Sequence, residues 1–115
     1  TIFATGVTVQ EAIKAQNELA QKNINVRVID FHTIKPIDKE IILKCAKETK
    51  KLISVEDHSI IGGLGTAISE VLTDEYPCKL IRLGIKDTFG KSGSAEKLMN
   101  YFKIDKEEII KNVIE

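Results

Sequence analysis

Asp57, His58 and Ser59 stand side by side, the three residue types of a hydrolase relay, and two carboxylates, Glu56 and Asp57, precede the imidazole whose charge they can tune. Adjacent residues of an extended strand point to opposite faces, so these three cannot form that relay. Beyond them Gly62, Gly63 and Gly65 open an apolar helical pattern. Free amides of such a turn at a helix N-terminus can hold an anion. The spacing matches neither the GxGxxG nor the GxxxxGK[ST] phosphate loop, however, and close packing of a helix on a sheet asks for the same glycines. His32 follows Asp30 in the run Phe31 to Pro36. An unperturbed imidazole titrates at about pH 6.5 and suits a general base, but spacing ties no acid or nucleophile to it. A turn histidine facing a neighbouring domain is the plainer reading. The polar, glycine-rich run from Asp87 to Ser94 surrounds Phe89, either an anchor into another domain's pocket or a residue packed on its own domain. Thr5-Gly6 reads as a tight strand-to-helix turn. Cys45 and Cys78 form no CxxC pair, and no His stands at zinc-ligand spacing.

These runs share a place if the chain is built from βα units, since open α/β sheets bind ligands beyond the carboxyl ends of their strands. Strands are expected at 1–4, 26–30, 52–56 and 79–83, with Leu52 to Val55 apolar enough for the centre and Lys79 to Leu83 alternating as an edge strand does. Thr8 with Glu11 reads as a capping box for a first helix ending near Lys22, whose inward face is Val9, Ala12, Ile13, Gln16, Leu19 and Ala20. Asp38 is the expected N-cap of a second helix, with Ile41, Ile42, Cys45, Ala46 and Thr49 in one stripe. A third starts at Leu64 and turns Ala67, Ile68, Val71 and Leu72 inward; a fourth starts at Ser94 and carries Leu98, Met99 and Phe102. Asp105 with Glu108 caps a last helix bearing Ile109, Ile110 and Val113.

Composition narrows the function classes. The 115 residues are 43% hydrophobic and 30% charged, the balance of one globular domain spanning 1–115, and Lys plus Arg equal Asp plus Glu at 17 each. A net charge of zero argues against a nucleic-acid or anionic-membrane partner. Arg27 and Arg82 are the only arginines, few for clamping a phosphorylated substrate. No apolar run reaches membrane-span length, and unpaired cysteines fit a reduced, cytoplasmic setting. The chain opens on Thr1 inside an apolar run, as a piece of a longer subunit would.

Four stretches agree in order and spacing with one family: Ile2 to Gly6, Val28 to Pro36, Val55 to Gly65 and Asp87 to Gly93. Together they resemble the C-terminal domain of transketolase over essentially the whole chain, most closely the split type, in which a separate polypeptide carries the thiamine-diphosphate-binding domain. The resemblance implies a three-layer α/β/α fold with a mostly parallel sheet, in which the family's antiparallel first strand is missing or altered. It also implies a parent enzyme, a homo-oligomer, that uses thiamine diphosphate and Mg²⁺ to move a two-carbon ketol unit between sugar phosphates. Cofactor and substrate lie between the other two domains, so this domain is expected to bind neither and to carry no catalytic residue. Its expected partners are the pyrimidine-binding domain of its own subunit and the thiamine-diphosphate-binding subunit or domain. Glu56, Asp57, His58, Gly62, Gly63, Gly65, His32, Asp87 and Phe89 are the expected docking or cleft-bordering residues, with His58 a further candidate for sensing ligand or pH. Two sister enzymes end in the same domain, 1-deoxyxylulose-5-phosphate synthase and the beta subunit of 2-oxo-acid dehydrogenases. A free-standing α/β module holding an anion or nucleotide on its glycine turn is the rival from another class.

Overall fold

A computed structural model describes residues 1–32, 34–59, 62–85 and 104–115. The expected helix from Ser94 and the run from Asp87 to Ser94, with Phe89, lie outside the described residues. Among the described residues four strands, β1 (Ile2–Ala4), β2 (Val28–Asp30), β3 (Leu52–Ser59) and β4 (Leu80–Ile85), pair in the order β2-β1-β3-β4, each pairing parallel. β3 is central and fully buried over Leu52 to Glu56 while β4 lies at the edge, as their hydrophobic patterns require.

Helices α1 (Thr8–Gln21), α2 (Lys39–Glu48), α3 (Leu64–Glu75) and α4 (Lys106–Ile114) cover both faces. α2 and α3 bury Ile42, Cys45, Leu64, Ile68 and Leu72 against Phe3 on one side; α1 and α4 bury Ala12, Ala15 and Ile109 against Ile2, Ile53 and Val55 on the other. Phe3 and Phe31 meet with ring centroids 5.7 Å apart at the heart of the first core. The layers are therefore α/β/α.

Two of the expected caps form. Asp38 accepts a hydrogen bond from the Ile41 amide at 3.2 Å, and Asp105 from the Glu108 amide at 3.1 Å, each satisfying a donor the helix leaves open. The capping box at Thr8 and Glu11 does not. Thr8 is already helical, and its hydroxyl lies 2.5 Å from the Thr5 carbonyl and 3.0 Å from that of Val55, tying the start of α1 to β3. Glu11 instead accepts from the Lys106 amide at 2.9 Å and pairs with Lys14, so it docks the first turn of α4 onto α1. These long-range bonds rotate α1 from its expected face. Thr8, Glu11, Ala12, Ala15 and Leu19 are buried, while Ile13 is 38% exposed and Ala20 faces solvent.

At the amino edge Lys51 joins three segments. Its carbonyl accepts from the Thr1 nitrogen at 2.8 Å, and its ammonium donates to the carbonyls of Asn112 and Val113 at the end of α4. Arg27 lies on the same side, 2.8 Å from Glu48 and 3.4 Å from the sulfur of buried Cys45. That arginine is spent on structure, far from the carboxyl edge.

Candidate functional site

The carboxyl edge is assembled around the end of β3. Between the pairs Val55–Leu83 and Ser59–Ile85 the chain advances four residues along β3 and two along β4, a bulge that falls on Glu56, Asp57 and His58. Bulges re-aim side chains, and this one sends adjacent carboxylates to opposite layers. Glu56, 1% exposed, accepts from the Leu64 amide at 3.1 Å and the Gly65 amide at 2.7 Å, capping α3 from within the sheet. Asp57 turns toward the other layer. Its Oδ1 lies 3.3 Å from the point a Cβ on Gly6 would occupy, at the turn into α1. Gly6 holds φ +57°, a left-handed conformation that glycine adopts without penalty and that brings the backbone beneath the carboxylate. A negative group near the first turn of a helix is favoured by the helix dipole, so one acid pair serves two helices.

The glycines divide their work. Gly62, at φ +77°, turns the chain and donates its amide to the Thr66 hydroxyl at 3.1 Å, and Gly63 is the N-cap position of α3. At Gly65 a Cβ would stand 2.9 Å from both Ser54 Oγ and Arg82 Cδ, so its absence lets α3 lie close on β3 and β4. The packing reading of that glycine is the right one. His58 stands in β3 between Asp57 and Ser59. His32 is not part of this cluster: it follows β2, two strands from β3 and so about 10 Å across the sheet. Its side chain is 84% exposed and lies 3.6 Å from Asp30. Asp87 and Phe89 lie outside the described residues.

This arrangement bears on an anion or nucleotide. The two amides at the start of α3 that a phosphate would use already bind Glu56, and Asp57 sets a negative charge beside the start of α1. Among the described residues no group of three or more His, Cys, Asp or Glu side chains converges as metal ligands do. The described residues therefore do not fit a metal-bound diphosphate. Sequence spacing leaves the glycine turn as a weak anion site beside a packing device; what it does not show is that Glu56, eight residues upstream of Leu64, takes the open amides. Thr8 was missed as well, because a threonine that reads as a cap gives no local sign that its hydroxyl reaches another strand. Thr5 Oγ1 and Ser54 Oγ are buried with no hydrogen-bond partner among the described residues.

Comparison with known proteins identifies the family of this domain. Residues 1–109 match the family model described as "Transketolase, C-terminal domain". A putative transketolase C-terminal section of Methanocaldococcus jannaschii is 46% identical over 100% of this chain and 36% of its own length. A 6-deoxy-6-sulfo-D-fructose transketolase subunit of Clostridium sp. (strain MSTE9) is 40% identical over 96% of this chain and 34% of its own length. A solved split-gene transketolase, described as an inactive beta4 tetramer, superposes with a TM-score of 0.91 at 34% identity, covering 98% of this chain and 37% of that one. The chain thus spans about a third of the length of these relatives. A parallel β2-β1-β3-β4 sheet between two helical layers, matched over almost its whole length, makes this chain a member of the transketolase C-terminal domain family.

Proposed function

We propose that this chain is the C-terminal accessory domain of a split transketolase, carried on the polypeptide that also holds the pyrimidine-binding domain. In that enzyme thiamine diphosphate and Mg²⁺, held by other domains, carry the transfer of a two-carbon ketol unit between sugar phosphates. The chain itself does no chemistry; it buttresses the pyrimidine-binding domain and completes the assembly with the thiamine-diphosphate-binding polypeptide. We place the docking surface at the carboxyl edge, where Asp57, His58, Gly62 and Gly63 stand on a backbone held by buried Glu56 and Gly65; His32 lies two strands away, and Asp87 and Phe89, outside the described residues, are assigned to this surface from the sequence alone. One observation carries this reading: Glu56, the buried carboxylate at that edge, is spent on the chain's own helix α3 through the Leu64 and Gly65 amides, as in a rigid platform rather than an open ligand site. The described helices include none long and apolar enough to cross a membrane, and we assign the enzyme to the cytoplasm. By likeness to the beta4 tetramer, the full-length polypeptide containing this chain is taken to associate with copies of itself.

The test mixes that full-length polypeptide with its thiamine-diphosphate-binding partner, thiamine diphosphate and Mg²⁺. Ketol transfer from xylulose 5-phosphate to ribose 5-phosphate is followed, with pyruvate as a competing donor. Transfer between sugars is expected. Pyruvate consumption without it moves the chain to one of the sister enzymes and refutes the substrate class.

A further inference from the structure

The exposed side of α3 and the segment that leads into α2 enclose a groove of about 410 Å³ that runs away from the carboxyl edge at Gly62 and Gly63. Its floor is apolar, formed by Ile34, Ile37 and Val71, and its two walls carry opposite charge: Lys35 and Lys39 on one, Glu70 and Asp74 on the other. Lys39 is half engaged, 3.9 Å from Glu75. Lys35, Glu70 and Asp74 are exposed and make no ion pair among the described residues. An occupant must therefore bring a basic group to one wall, an acidic group to the other and apolar surface between them.

We propose that the occupant is a second copy of this chain. A two-fold axis parallel to the groove seats the α3 ridge of each copy in the groove of the other, with Glu70 and Asp74 against the facing lysine wall, so the same four side chains meet their complements twice. A ridge seated in the facing groove is the ordinary way in which helices pack. The inference rests on the self-association proposed above and names the face that supplies it. The groove is small beside the ~800 Å² per partner of a standard interface, so it acts as an auxiliary contact that strengthens assembly of the full-length polypeptide. Charge pairs at such a rim select the partner and its register.

Sedimentation of the full-length polypeptide over a range of concentrations tests this with three variants: Lys35→Glu/Lys39→Glu, Glu70→Lys/Asp74→Lys, and the fourfold swap. Melting temperatures serve as the check on folding. Each one-wall reversal is expected to raise the self-association constant Kd at least tenfold, and the swap to restore it to within about threefold of the parent, since each altered wall then meets an altered complement. Unchanged association in both one-wall variants overturns the proposal. So does a swap that weakens as the sum of its parts, which would mean that a different partner fills the groove. A parent polypeptide that is monomeric at every concentration instead overturns the self-association reading on which the proposal rests.

Discussion

Replacing Glu56 by Gln removes a single buried charge from the carboxyl edge of the sheet and keeps the side chain's shape, which makes it the sharpest probe of the platform. The carboxylate accepts from two amides, Leu64 at 3.1 Å and Gly65 at 2.7 Å, in a site 1% exposed. A glutamine keeps one acceptor oxygen and turns an NH₂ donor on the second amide. That loses one charge-assisted bond and leaves a buried N–H unsatisfied, together about 2–4 kcal/mol. For a domain of about 100 residues each kcal/mol moves the Tm by roughly 4 °C, so a fall of about 8–16 °C is expected by circular dichroism. Amide exchange should speed up first at Leu64 and Gly65, because the loss is local before it is global. Glu48→Gln is the control: its partner Arg27 is 2.8 Å away but both side chains are over a third exposed, so at most about 1 kcal/mol is expected. A Glu56→Gln variant no less stable than Glu48→Gln would refute the reading of Glu56 as the cap of α3.

Gly6→Ala places a Cβ at φ +57° and 3.3 Å from the Asp57 carboxylate, and should cost about 1–2 kcal/mol in urea unfolding; a loss that disappears would mean the turn is free to relax. Gly65→Ala brings a methyl to 2.9 Å from Ser54 Oγ and Arg82 Cδ and should destabilise by about 1–3 kcal/mol. Ser54→Ala removes a buried hydroxyl without a hydrogen-bond partner among the described residues, so alone it should be neutral or stabilising, and combined with Gly65→Ala it should recover part of the loss. Additive effects of the pair would show that the two sites do not touch. Partial burial pushes the Cys78 thiol up, so its alkylation should follow a pH midpoint above the ordinary value of about 8.5, while buried Cys45 reacts only on unfolding. Alkylation of Cys45 before Cys78 in the folded chain would contradict that burial.

What could be read from the sequence was whatever is decided within a turn or two of chain. Asp38 and Asp105 cap amides three residues ahead, a distance the backbone fixes, and both are found where their spacing puts them. The run Leu52 to Val55, apolar but for Ser54, likewise suits a central strand and is buried throughout. Thr8 and Glu11 have the same three-residue spacing, yet their partners are Val55 and Lys106, at separations of 47 and 95 residues, which no local pattern records. The outward turn of Ile13 follows from that, since two satisfied polar groups took the buried face. That Glu56 and Asp57 lie toward the carboxyl end of β3 was legible from the apolar run before them. The roles of Glu56 and Asp57 were not, because a bulge decides which way each points and its existence depends on the register with β4.

Lys51 accepts from the nitrogen of Thr1 on its main-chain carbonyl and donates from its ammonium to the carbonyls of Asn112 and Val113, so the start of β1 and the end of α4 meet at one residue. The start of β1 and the end of α4 therefore lie close together at the amino edge of the sheet. A linker of about six residues, reaching roughly 20 Å when extended, suffices to join Glu115 to Thr1. New ends can then be opened at the exposed turn of Pro77 to Lys79 without severing a strand, a helix or any bond described at the carboxyl edge. Such a circular permutant keeps the carboxyl edge whole while moving the point of covalent attachment along the amino edge, from the start of β1 to the turn before β4, and so separates what the domain does by shape from what it does by tether.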